Sequence, residues 1–129
     1  MNRSDNSINP IEWFRFADKD WDRMKRMLED EDAEAASFFL EQSLEKYLKA
    51  FLLKHGWKLK KIHLLYILLD DAVEYNPTLE NFRSLCERVS GYYFTERYPS
   101  MGYIELNCED IKKDSEEAKQ FVIYLTESV

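Results

Sequence analysis

The stretch Tyr92-Tyr93-Phe94-Thr95-Glu96-Arg97-Tyr98-Pro99 is where this chain concentrates residues suited to recognising other molecules. Tyrosine and arginine present flat, amphipathic faces that stack on bases or anchor protein interfaces. Tyr93, Tyr98 and Tyr103, with Arg97 among them, therefore mark a nucleotide or RNA site, an irregular loop packed over the fold, or the seam of a homodimer. Residue types alone leave these three open. The run Lys54, Lys58, Lys60 and Lys61 is the basic concentration of a chain whose net charge is −7. It reads first as a solvated connector and second as an anion site. Acidic pairs one turn apart, Asp18 with Asp22 and Glu41 with Glu45, have a spacing compatible with acid–base work but are expected to be solvated surface. Glu45 with Lys49 reads as an ordinary i,i+4 ion pair, worth roughly 0.2–0.5 kcal/mol.

Other chemistries lack their residues. His55 and His63 have no cysteine or carboxylate at metal-ligand spacing, so no metal site is expected; His55 reads as decorating a helix end and His63 as helping to start the next helix. Catalytic triads and phosphate-cradling loops are absent, the three glycines are scattered, and no cofactor is expected. Cys86 and Cys108 form no C-x-x-C pair and the N-terminus is polar, which fits reduced thiols in a cytoplasmic protein. No apolar run is long enough to span a bilayer, so no membrane is expected among the partners. An acidic chain is repelled by nucleic acid at long range, so any such contact needs a local basic patch or a basic partner.

Positioning these residues falls to helices. With 45% apolar residues and only three glycines and three prolines, the composition favours a few long helices in one domain over many short strands. Asn9 as cap, Pro10 at the first helical position and Glu12 behind it open the first helix, whose stripe is Trp13, Ala17, Trp21, Met24 and Leu28. Residues 1–9 are expected to be a disordered tail. Asp30 or Asp32 caps a central helix from about Ala33 to His55, stopped by Gly56. That helix is apolar on nearly all sides, as the core of a bundle must be, and keeps one polar strip: Glu41, Gln42, Glu45, Lys46 and Lys49. A third helix is expected from about His63 to Glu74 and a fourth from near Thr78 or Leu79, carrying Phe82, Leu85, Cys86, Val89 and, at its far end, Tyr93. The aromatic segment follows as irregular chain, and a last helix runs from Asn107 to Leu125. The fold class is all-α, an up-and-down bundle of four to five helices.

Several of these pieces, in this order, resemble the HEPN family, helical domains named for nucleotide binding in higher eukaryotes and prokaryotes, and in particular its stand-alone prokaryotic type. They are Ala17-Asp18-Lys19-Asp20-Trp21, the central Phe38-Phe39-Leu40-Glu41-Gln42-Ser43-Leu44-Glu45-Lys46-Tyr47-Leu48-Lys49-Ala50, His63-Leu64-Leu65, and Tyr93-Phe94-Thr95-Glu96-Arg97-Tyr98-Pro99. The resemblance covers nearly the whole chain. It implies a homodimer and a role beside a small nucleotidyltransferase, often as a two-gene, toxin–antitoxin-like pair. Many members are metal-independent ribonucleases whose motif is an arginine followed, after four to six residues, by a histidine. Arg97 matches the arginine, but the histidine positions hold Gly102, Tyr103 and Ile104. A phenol that titrates near pH 10 makes a poor general base. Arg97 is thus carried over as a phosphate contact, with Lys46, Lys49 and Asp18 as candidate cleft residues and no catalytic residue. The expected function is nucleotide or RNA binding without cleavage. A ribonuclease with a non-standard base and a pure dimerisation module are the alternatives.

Overall fold

The computed structural model describes residues 8–97 and 106–127, with residues 93–97 by backbone alone. Its elements are five α-helices, α1 Pro10–Glu29, α2 Ala33–Lys54, α3 Leu65–Ala72, α4 Arg83–Arg97 and α5 Cys108–Glu127, with a 3-10 helix Pro77–Phe82 leading into α4. No strand occurs among the described residues. The all-α bundle follows from the scarcity of turn residues, as the composition implied.

Local signals set the helix ends. Asn9 accepts from the Ile11 amide at 3.0 Å, and Asp32 accepts from the Ala35 amide at 3.1 Å, each filling an orphan donor of a first turn. Asn9 thus belongs to α1 as its cap; residues 1–7 of the expected tail lie outside the described residues. The last turns of α1 and α2 close the same way. The Asp32 amide bonds the Met27 carbonyl at 2.9 Å, and the Trp57 amide bonds the Leu52 carbonyl at 3.0 Å. Both closures need a left-handed residue. Gly56 adopts φ 87° at no steric cost, whereas Glu31 adopts φ 57° at a cost of roughly 1–2 kcal/mol.

The tight turn after α1 sends α2 back along it, and the other three helices pack on the remaining sides of α2. Ala36, Leu40, Leu44, Leu48, Phe51 and Leu52 are fully buried, against Ala17 and Met24 of α1, Leu65, Leu68 and Leu69 of α3, Leu85 and Val89 of α4, and Ile111, Phe121 and Leu125 of α5. Burying one such side chain contributes roughly 1.5–3 kcal/mol.

Several expected boundaries move. The third helix starts at Leu65 rather than His63, because Leu64 is extended and the Leu65 amide is capped by the Ser90 hydroxyl of α4 at 3.1 Å. The fourth element opens as a 3-10 helix, capped where the Asn76 side chain accepts from the Thr78 amide at 3.1 Å. Then α4 continues through Gly91 to Arg97. Glycine inside a helix costs about 1 kcal/mol and does not end it. Tyr92 to Arg97 are therefore helical, not irregular. No helix among the described residues is long and apolar enough to cross a membrane.

Candidate functional site

The polar strip of α2 is the origin of the site. A helix surrounded by four others must bury its polar residues too, and Glu41, Glu45 and Lys49 are only 2%, 5% and 3% exposed. The expectation of solvated acids fails for Glu41 and Glu45, because α2 has no solvent face wide enough to hold them. Burial also changes the Glu45–Lys49 pair from a surface contact into a desolvated one, whose partners are costly to separate.

Helical phase then sorts the side chains. Trp13 and Asp20 lie seven residues apart and share a face of α1, while Asp18, two residues from Asp20, is turned away by about 200°. On the Asp20 face, the buried Asp20 carboxylate accepts from Arg23 at 2.8 Å and forms a short ion pair with Lys46. One turn further along α2, Lys49 donates to Glu45 Oε2 at 2.9 Å, and its ammonium lies 5.4 Å from the centre of the Trp13 ring. Lys46 and Lys49 are thus brought onto one face, with α1 supplying a partner to each. On the opposite flank Asp18 accepts a short hydrogen bond from the Tyr47 hydroxyl. The structure separates Asp18 from the two lysines.

The connector after α2 adds what spacing could not place. His63 Nδ1 lies 3.1 Å from Glu45 Oε2, so its role is to meet α2 and not to start α3. This contact favours the tautomer with its proton on Nδ1. His63 remains 60% exposed at its side chain. Glu45 Oε1, by contrast, is buried and has no hydrogen-bond partner. Beside this cluster a cavity of about 140 Å³ is lined by Trp13, Lys49, Leu59, Lys60, Lys61 and His63. Two lysines of the basic run thus face the same space as the buried Lys49, while Lys54 and Lys58 are exposed elsewhere. Glu45 was legible as a member of the polar strip, whereas Asp20, Trp13 and His63 were not legible as site residues. The one available signal was the near-total burial of α2, which demands a partner for every charge on it.

His55 does sit at the helix end, its Nδ1 2.9 Å from the Phe51 carbonyl and its ring 4.9 Å from that of Tyr75. No group of three or more histidine, cysteine or acidic side chains among the described residues is placed to hold a metal ion. Both cysteines are free, and burial pushes the Cys86 thiol up to about 12. Arg97 and Tyr93 are placed by backbone only, and Tyr98 and Tyr103 lie outside the described residues.

An all-helical bundle packed around one central helix, with a desolvated charged face, defines a class of small helical domains. The particular family follows from a family model: the HEPN domain model matches residues 11–127, and the chain belongs to the HEPN domain family. That membership supports a helical domain of the nucleotide- and RNA-binding kind. No curated protein and no solved structure matches the chain.

Proposed function

We propose that this HEPN protein is a homodimeric nucleotide- or RNA-binding protein that acts beside a small nucleotidyltransferase, as in a toxin–antitoxin-like pair, and does not itself cleave RNA. The observation that carries the reading is the gathering of Lys49, Lys60 and Lys61 around one cavity in a chain of net charge −7. Phosphates are held by just such local cation excess. Arg97 is assigned as a further phosphate contact. The lack of cleavage rests on Gly102, Tyr103 and Ile104 standing where the motif histidine belongs. The test is a binding titration with labelled nucleotides and short RNA, with wild type and Arg97→Ala compared. Arg97→Ala should weaken binding by about tenfold, as expected for one charge-assisted contact. Failure to bind either probe sinks the reading, and so does a monomer by sedimentation at micromolar concentration for its dimeric part.

One observation favours a second reading, a ribonuclease with a non-standard base: His63 against Glu45, beside Lys49, has the make-up of an oriented imidazole base. Metal-free RNA cleavage that His63→Gln and Arg97→Ala both abolish would establish it. No cleavage by wild type, or cleavage indifferent to both changes, ends it.

A further inference from the structure

The cavity beside Lys49 differs from its neighbours in charge. The space between α4 and α5 is lined by Arg88 and Lys113 but also by Asp110, Asp114 and Glu117. The one near Trp57 sets Asp71 and Glu74 against Lys60. The larger groove between α1 and α5 mixes Glu29 and Glu116 with its lysines. The cavity of Trp13, Lys49, Leu59, Lys60, Lys61 and His63 has three ammonium groups, an imidazole and no carboxylate in its lining. Glu45 stands behind it, and both Lys49 and His63 meet the same oxygen, Oε2. Lys60 also reaches Asp71 at 4.0 Å, so three ammonium groups and an imidazole stand against two carboxylates, and the excess is positive.

The lysines are also unlike one another. Lys49 is buried, with its side chain 4% exposed, and its ammonium is fixed by Glu45 and by the face of Trp13. A fixed ammonium meets an anion without the entropy cost of ordering a free side chain. Lys60 and Lys61 are exposed on long stems and can close over a guest.

Size limits the guest. At about 140 Å³ the space is well below the roughly 300–1,000 Å³ of pockets that enclose a whole drug-sized ligand. It admits a phosphate group and leaves the nucleoside outside. An internal phosphodiester carries one charge and needs an exit for the strand on both sides. A terminal phosphomonoester carries about −1.5 to −2 charges at pH 7 and needs one exit.

The geometry points to this cavity as a receptor for the terminal phosphate of a nucleotide or RNA end, with Lys49 as the fixed cation, Lys60 and Lys61 as closing cations, and Glu45 as the positioning residue for Lys49 and His63. The inference rests on the nucleotide- or RNA-binding reading above and names which part of the ligand this face takes.

The test compares one short RNA sequence in three forms, with a 5′-phosphate, with a 3′-phosphate and with hydroxyls at both ends, by fluorescence anisotropy on the full chain. At least one phosphorylated form should bind about tenfold or more tighter than the hydroxyl form, the scale of one or two charge-assisted hydrogen bonds. Lys60→Ala with Lys61→Ala, both at exposed positions where folding is not at stake, should erase that preference. Lys54→Ala with Lys58→Ala removes equal charge from the same basic run and should keep it. Equal binding of all three forms overturns the inference and leaves the nucleic-acid reading standing, as does a preference that survives Lys60→Ala with Lys61→Ala. No binding of any form overturns both.

Discussion

Two of the charged clusters in this fold are completed to different degrees. Between α4 and α5, Arg88 reaches Asp114 Oδ1 at 3.1 Å and Glu117 at 2.7 Å, and donates to the Ser84 hydroxyl at 2.8 Å. The Tyr92 hydroxyl donates to Asp114 Oδ2 in a short bond, so both oxygens of that carboxylate are filled. Between α2 and the connector, Lys49 and His63 share Glu45 Oε2 while Oε1 has no partner. A buried acceptor left unfilled costs about 1–3 kcal/mol. The first cluster behaves as a clamp: it satisfies itself and keeps Arg88 partly in water, at 43% side-chain exposure. The second leaves one buried acceptor unfilled, and it borders a cavity lined by cations. Similar residue types thus build two clusters, and what separates them is whether every acceptor is filled from within.

The largest expected effect breaks the second cluster. Lys49→Ala leaves Glu45 buried with only the exposed His63 beside it, and should lower stability by about 3–5 kcal/mol in urea unfolding. Replacing both partners, Glu45→Leu with Lys49→Met, should recover most of that loss, because no charge is then left unpaired. The double variant should nevertheless lose the preference for phosphorylated RNA. Recovery of stability together with retention of that preference would show that the cluster is a clamp after all.

A smaller loss is expected from the α4–α5 cluster. Asp114→Ala removes the acceptor of Tyr92 and one partner of Arg88, yet Arg88 keeps Glu117 and access to water. The cost should be about 1–3 kcal/mol, with RNA binding unchanged. A loss exceeding that of Lys49→Ala would reverse the ranking of the two clusters.

How much of this the sequence carried depends on the range of each interaction. Asn9, Pro10, Asp32, Gly56 and Asn107 act within one turn of where they stand, so the ends they set were readable directly. The start of α3 was not, because the Leu65 amide is capped by Ser90, a residue of another helix. Nor was the core of the site, since Lys46 meets Asp20 across 26 residues and His63 meets Glu45 across 18. Periodicity marks Glu41 and Glu45 as polar positions, but whether a polar strip faces water is decided by how many helices surround it. Here the apolar character of the rest of α2 already implied that its charges would need partners.

The smallest expected effects concern the two tyrosine–carboxylate pairs, and they sharpen the comparison by adding a second clamp on α2. Burial, followed by the hydrogen bond to Asp18, raises the Tyr47 phenol above its ordinary 10.0; burial and Asp114 do the same for Tyr92. Burial likewise takes the Cys86 thiol from 9.0 to about 12. In each case the folded chain holds a proton that the unfolded chain gives up first. The contribution of these three groups is therefore unchanged below pH 9, and falls as the pH rises through 9 for Cys86 and through 10 for the tyrosines. Each proton retained only in the folded state costs about 1.4 kcal/mol per pH unit across its window. Tyr47→Phe and Tyr92→Phe should each lose about 1 kcal/mol at pH 7, the worth of one hydrogen bond, and flatten the decline above pH 10. Neither change should alter RNA binding, because Tyr47 of α2 meets Asp18 of α1 on the flank away from the Lys49 cavity, and Tyr92 meets Asp114 between α4 and α5. If Tyr47→Phe weakens binding as much as Lys60→Ala with Lys61→Ala, the Asp18 flank belongs to the site, and the line drawn between clamp and receptor has to move to include it.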